Sequence, residues 1–293
     1  MKSFIYTNLA IACTTTLLMA CSSSGGGGSV TVPADAITIT QDNALTKAQD
    51  ATSAIDSAFG AFYDATDVFF FKSSSGTLSG SKNNRHFSNF ARTMIKNNKT
   101  GDPITREAPF NETINCDSGT MSINADITET NTSESGSGTI SFSSCTIFGS
   151  TLNGSLSFSY SDSLSGNNWK GSGKDTASSL SMIVSGVTHT FTNFSDTWSY
   201  DDSTQIDTDK TTLSYSSSVI GGGILIQDTT AWKTRYTDLY PFEAVTLVTG
   251  ANGSKFKITA LDETQFNFEV DADGNGAFES SQVYAWSVLF NTF

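Results

Sequence analysis

Asp271, Asp273 and Asn275 occupy alternate positions in Asp271-Ala272-Asp273-Gly274-Asn275-Gly276, and Glu279 follows three residues later. Oxygen-bearing side chains at the first, third, fifth and ninth places, with glycine at the sixth for the sharp turn, are what a calcium loop presents. The place of the bidentate glutamate that completes an EF-hand is taken by Gln282. The flanks, Phe266 to Val270 and Ala277 to Trp286, alternate as strands do, so the loop is expected at a hairpin tip and not between two helices. Asp271, Asp273, Asn275 and Glu279 are therefore the candidate calcium ligands. The competing reading is a plain turn, built from Asp, Asn and Gly because these residues tolerate positive φ.

The remaining chemistry-bearing residues are scattered. Asp117-Ser118-Gly119-Thr120 resembles the string around the catalytic aspartate of aspartic proteases, whose chemistry needs two such carboxylates sharing a proton. One copy is present, with Asn115 and Cys116 where apolar strand residues belong, so a turn between strands is the expectation. His86 and His189 are the only histidines, and neither lies beside a nucleophile elbow. His189 alternates with Val187 and Phe191 and should share their face. Ser79-Gly80-Ser81-Lys82 has the Ser-x-x-Lys spacing of serine acyl enzymes without the companion motifs. No glycine-rich loop follows a strand and opens a helix, which leaves nucleotide binding without support. Trp169, Trp198, Trp232 and Trp286 could form a carbohydrate or lipid platform, but aromatic residues in β proteins more often pack in the core or across strands. No set of nucleophile, base and oxyanion donor is assembled, so no catalytic residue is assigned and a non-enzymatic protein is expected.

The cysteines point to a compartment. Cys13 and Cys21 lie at the N-terminus; Cys116 and Cys145 remain. The N-terminus has the order of a secretory signal: Lys2, a mostly apolar stretch to Met19, then small Ala20. Export to an oxidising compartment and an even remainder favour a Cys116–Cys145 disulfide. Closing that loop would stabilise the fold by roughly 3–4 kcal/mol in the chain-entropy treatment. A metal site on these thiols is the rival, weakened by the lack of neighbouring histidines.

Leu18-Met19-Ala20-Cys21 also resembles the lipobox of bacterial lipoproteins, which implies cleavage before Cys21 and its lipidation with fatty acyl chains such as palmitate. Residues 1–20 are then a lipoprotein signal peptide, and 21–36 the lipidated cysteine with a Ser/Gly tether. Ser22 after the cysteine implies sorting to the outer membrane. Several acyl chains would anchor the protein far more firmly than one.

Composition narrows the partners. Formal net charge is −13, and removing a signal whose one charge is Lys2 (+1) leaves −14. Such a chain repels nucleic acid and anionic headgroups. Only 15% of residues are charged, and Ser and Thr supply most of the polarity, as suits an exported β protein. The apolar runs after the signal, such as Val68-Phe69-Phe70-Phe71, are too short to span a bilayer.

Two amphipathic helices and then a long run of strands are expected to position these residues in one α+β domain over 37–293. Leu45, Ala48, Ile55, Phe59 and Phe62 recur at helical spacing, with Ala44, Ala51, Ala54 and Ala58 on the same side, and Asp42 is placed to cap a helix over 42–66. A second helix is expected over 84–100, ending in Lys96-Asn97-Asn98-Lys99-Thr100-Gly101. From Phe110 to the end (strands 110–293) the period is two: Met121, Ile123, Ala125 and Ile127, then Leu156, Phe158 and Tyr160, then Phe266, Phe268 and Val270. Turn signals fall at Gly166-Asn167-Asn168, Asp201-Asp202, Asn252-Gly253 and Asp273-Gly274-Asn275-Gly276. Ten to twelve strands with no long helix between them favour an antiparallel meander. So wide a sheet must curl. The fold class expected is mainly β, two N-terminal helices covered by a curled sheet or half-open barrel; a β-sandwich is the alternative. In plan the half-open barrel is similar to the periplasmic lipoprotein-localisation factors.

Two stretches resemble a group of uncharacterised Gram-negative lipoproteins: Asn115-Cys116-Asp117-Ser118-Gly119 through Ile140 to Cys145 and Leu152-Asn153-Gly154-Ser155, and Val270 to Gly276 leading to Tyr284-Ala285-Trp286. The resemblance specifies no activity. The expectation is an outer-membrane-anchored, non-enzymatic binding, assembly or adhesion module. Its partners would be the membrane through its lipid, other envelope proteins, and a hydrophobic ligand if the helices leave a pocket under the sheet. An envelope hydrolase or a calcium-dependent surface protein is the alternative.

Overall fold

The structure, a computed structural model, describes residues 30–71, 106–147 and 149–290. The expected second helix (84–100) and Cys21 lie outside these residues. Among the described residues there is one α-helix, α1 (Ala44–Phe71), followed by twelve strands. These are β1 (Arg106–Asn115), β2 (Ser118–Glu129), β3 (Ser133–Ile147), β4 (Ser150–Ser165), β5 (Asn168–Val184) and β6 (Val187–Asp201). They continue as β7 (Ile206–Ser217), β8 (Gly222–Arg235), β9 (Glu243–Thr249), β10 (Lys255–Ala260), β11 (Gln265–Asp271) and β12 (Ser280–Ala285). All twelve form one antiparallel sheet in chain order, so the fold is a meander, and β1 and β12 do not pair to close it. Of the four turn signals, Asn252-Gly253 and Asp273 to Gly276 fall wholly between consecutive strands, while Asn168 opens β5 and Asp201 closes β6.

α1 begins two residues later and ends five residues later than the 42–66 read from the sequence. Its cap is not Asp42. The Thr40 hydroxyl accepts from the Asn43 N–H (3.3 Å) and the Asn43 side-chain oxygen accepts from the Thr40 N–H (2.8 Å), a reciprocal capping box. At the far end no proline or glycine interrupts the Val68–Phe71 run, and the helix continues through it.

The helix presents alanine to the sheet. Ala44, Ala48, Ala51, Ala54 and Ala58 are all buried, against β4, β5 and β6. Small side chains let a helix axis approach a sheet closely, and each buried methyl still gains the transfer term. Two hydrogen bonds fix the helix at its start: Lys47 Nζ donates to the Ile220 carbonyl (2.9 Å) and Gln49 Nε2 to the Val288 carbonyl (2.8 Å). They tie it to the β7–β8 turn and to the chain after β12.

The chain before the helix is also held. The Ile37 N–H donates to the Gly223 carbonyl (3.0 Å), the Ala251 N–H to the Ile37 carbonyl (2.7 Å) and the Ser214 hydroxyl to the Thr31 carbonyl (2.7 Å). Residues 31–36, assigned to the tether by composition, are therefore part of the packed body. Their polar backbone finds partners in β7 and β8.

Six of the eleven ladders carry a register shift. In β3 the inward residues change from Ile140 and Phe142 to Cys145 and Ile147; in β5 from Asp175 and Ala177 to Leu180 and Met182; in β6 from Phe191 to Phe194 and Trp198. The three irregularities lie beside one row of directly opposed residues, Phe142, Gly154, Leu180, Phe191, Tyr215 and Ile224. A bulge bends its strand and increases the local twist. Bulges side by side crease the sheet along that row, which is how it curls without closing. Large rings then fit inside because glycines stand opposite them: Gly136 by Tyr160, Gly171 by Tyr200 and Gly173 by Trp198.

Cys116, in the turn after β1, is bonded to Cys145 in β3, with Cα atoms 5.3 Å apart. The two sulfurs are thus unavailable to a metal. Gly119 completes this corner: its φ of +73° and the carbonyls of Ser143 and Ser144 packed against it exclude a β-carbon.

Candidate functional site

The acidic loop after β11 is the one place where the described residues bring three possible metal-ligating groups together. One oxygen each from Asp271, Asp273 and Glu279 lie within 4.8 Å of one another. Opposed oxygens about 2.4 Å from a shared calcium would be separated by about that distance. The dimensions fit, but the electrostatics are already settled. Asp271 is wholly buried, and one of its oxygens sits 3.1 Å from Lys255 Nζ. Its carboxylate also accepts the N–H groups of Gly274 (2.8 Å) and Gly276 (2.9 Å). Burial raises its pKa, yet the Lys255 bond and these backbone donors together outweigh burial and hold the carboxyl below its usual range.

The other candidates serve the turn as well. Glu279 accepts the Ala272 N–H (3.0 Å), Asp273 accepts the Asn275 N–H (3.0 Å) and side-chain amide (2.9 Å), and Asn275 accepts the Ala277 N–H (2.7 Å). Both oxygens of Asp271 and of Asp273, one oxygen of Glu279 and the Asn275 side-chain oxygen already accept a hydrogen bond within the loop. A calcium ion would have to compete with the Lys255 ammonium for Asp271.

The candidate catalytic residues are not brought together. Asp117 is exposed in the β1–β2 turn, where its N–H donates to the Thr146 carbonyl (2.9 Å). His189 lies on β6, with β2 to β5 between it and that turn. It is buried, as its alternation with Phe191 predicts, and its Nδ1 is 2.9 Å from the Tyr215 hydroxyl. Burial lowers the His189 pKa and raises that of Tyr215, so both stay neutral around pH 7. His86, Ser79 and Lys82 lie outside the described residues. Three of the four tryptophans pack in or against the core: Trp198 stacks beside Tyr200, and Trp286 is fully buried among Trp232, Tyr240, Phe266 and Phe290; Trp169 is half-buried near the start of β5.

A site that the sequence reading passed over is centred on Asp228, at the irregular part of β8. Its carboxylate accepts the Thr211 N–H (2.8 Å), the Trp232 indole N–H (3.0 Å) and the Thr246 hydroxyl (2.5 Å). Thr211 also donates its hydroxyl to Asp196 (2.8 Å), so one threonine bridges two carboxylates. Burial is the largest influence on Asp228 and raises its pKa to about 6, against the three donors; the charge of Asp196 adds to the rise. The sequence did hold a signal: Ile224, Ile226 and Asp228 alternate, which places the carboxylate in phase with an apolar row. The donors fill the gap that the bulges open between β7, β8 and β9.

No family model, no curated protein and no solved structure matches this chain.

Two predictions follow from these geometries. Because the pKa of Asp228 is higher in the folded than in the unfolded state, its contribution favours folding fully below the unfolded value. That contribution is lost as pH rises from about 4 through about 6. Over that window the wild type should lose about 3 kcal/mol relative to Asp228→Asn. Urea unfolding of both proteins at a series of pH values measures the difference; parallel curves would contradict it. For the acidic loop, millimolar calcium should leave the wild-type Tm unchanged. Lys255→Met should cost about 3 kcal/mol by stranding a buried carboxylate, and should make Tm rise on adding calcium. A calcium-dependent rise of several degrees in the wild type would show instead that the ion displaces Lys255.

Proposed function

We propose that this protein is an outer-membrane lipoprotein whose body is a non-enzymatic binding, assembly or adhesion module. The observation that carries the reading is the sequence Leu18-Met19-Ala20-Cys21 with Ser22 and the glycine run behind it, placed a short way before the packed chain at Thr31. A lipid on Cys21 would hold the curled sheet close to a bilayer.

Three features support a module over an enzyme. His189 is buried and committed to Tyr215. Asp117 belongs to the turn beside the disulfide. The carboxylates of the acidic loop are occupied in holding that loop. On the inner face, the alanine stripe of α1 lies directly on β4 to β6, where an acyl chain would otherwise sit. That favours a scaffold that displays its loops, edges and outer face over a carrier with an apolar cavity.

Metabolic labelling with an alkynyl fatty acid tests the anchor. The wild-type protein should take up label and fractionate with the outer membrane. Cys21→Ser should lose the label and leave the membrane fraction. An unlabelled, soluble wild-type protein would overturn the reading.

A further inference from the structure

The two edges of the open sheet differ, and the difference points to a partner. The Cys116 N–H donates to the Gly119 carbonyl, which fixes the phase of the β1–β2 ladder. Hydrogen-bonded positions alternate along an antiparallel pair. Ala108, Phe110, Glu112 and Ile114 therefore turn their backbone groups to β2, while Pro109, Asn111 and Thr113 turn theirs to the open side. Pro109 has no N–H to offer there. Its position costs the ladder nothing and blocks the edge against another strand.

The phase of β12 is fixed in the same way. The Trp286 N–H donates to the Thr264 carbonyl, in register with the β11–β12 ladder. Ser280, Gln282 and Tyr284 thus bond to β11, and Ser281, Val283 and Ala285 direct their N–H and C=O groups away from the sheet. Among the described residues β12 has no second neighbour. From Ser280 to Ala285 there is no proline and no charge, and Ser281, Val283 and Ala285 are exposed. None of the usual edge protections is present on this strand.

We propose that β12 pairs antiparallel with β12 of a second copy of this chain, forming a symmetric dimer about Val283. The register is dictated by the free groups. Val283 stands opposite the partner's Val283, and Ser281 opposite the partner's Ala285, each as a hydrogen-bonded pair. Every outward N–H and C=O of the three residues is then satisfied. Gln282 falls opposite the partner's Tyr284. No like charges meet, although the chain as a whole is strongly acidic. Val283, a β-branched residue left 49% exposed, gains a cross-strand apolar neighbour. The dimer is also closed: once the two β12 edges are joined, both remaining edges among the described residues are β1, each blocked by Pro109. Assembly stops at two copies and does not run on into a fibre.

Sedimentation equilibrium of the full chain in detergent micelles, with backbone amide exchange, tests this. The expected species has twice the chain mass. Exchange at Ser281, Val283 and Ala285 should slow by about tenfold or more between dilute and concentrated protein, as for newly paired strand amides. Val283→Pro should be monomeric yet folded, because it deletes only an N–H that faces the open side. Val283→Lys, which keeps that N–H and adds a repelling charge, should weaken the dimer. Thr113→Lys on β1 should leave it intact. A wild-type chain that stays monomeric, or a dimer that survives Val283→Pro or leaves those amides unprotected, overturns the proposal.

Discussion

A sheet with one apolar face has to cover that face, and among the described residues no second sheet does so. Most of the buried apolar residues of the twelve strands lie on one side, and the sheet bends over its own inner face, with α1 laid along β4 to β6. The rest of the architecture answers to this constraint. The bulges beside the Phe142–Ile224 row supply the bend. The alanine stripe lets the helix lie close, and Lys47 and Gln49 tie its first turns to the β7–β8 turn and to the chain beyond β12. The Cys116–Cys145 bond secures the corner where β1 joins the sheet.

The same constraint accounts for the buried Asp228 carboxylate. A creased sheet leaves backbone donors without ladder partners, and a buried donor left unsatisfied costs about 1–3 kcal/mol. Asp228 meets the Thr211 N–H at such a place. Asp271 does the equivalent for the hairpin loop, gathering the N–H groups of Gly274 and Gly276. The two carboxylates differ in what compensates their burial. Asp271 has the Lys255 ammonium beside it and stays ionised; Asp228 has neutral donors and a neighbouring Asp196, and its affinity for a proton rises. Of the two, Asp228 is therefore the one poised to change charge near neutral pH.

Much of this was legible in the sequence wherever the alternation was clean. Met121 to Ile127, Leu152 to Tyr160 and Phe266 to Val270 each announce a strand with one wet face, and the turn residues between them fixed the meander. The Cys116–Cys145 disulfide, expected from the even count of cysteines left beyond the N-terminus, is present. β5 was less legible because Gly171, Gly173 and Asp175 occupy its inward positions; the apolar mass there comes from Tyr160, Trp198 and Tyr200 on the strands alongside. The bulges were hidden for a related reason: an extra Ser144 or Asn193 in a Ser/Thr-rich chain leaves no mark on composition, only a change of phase. Asp42 looked like the cap, but the Thr40–Asn43 pair could satisfy two donors reciprocally and took that role. In the acidic loop, oxygens of Asp271, Asp273 and Glu279 lie within 4.8 Å of one another, whereas Lys255, remote in sequence, pairs with Asp271.

The fold depends on the close seating of an alanine-faced helix against the open sheet. Urea unfolding of Ala48→Leu, with Thr46→Leu as the exposed control on the same helix, tests that seating most directly. Overpacking at a buried contact costs about 2 kcal/mol, and a surface change on the helix should stay within about 0.5 kcal/mol of the wild type. Ala48→Leu should lower the unfolding midpoint and Thr46→Leu should not. Equal midpoints for the two variants, or a gain in stability from Ala48→Leu, would mean that the helix does not cover the inner face as described.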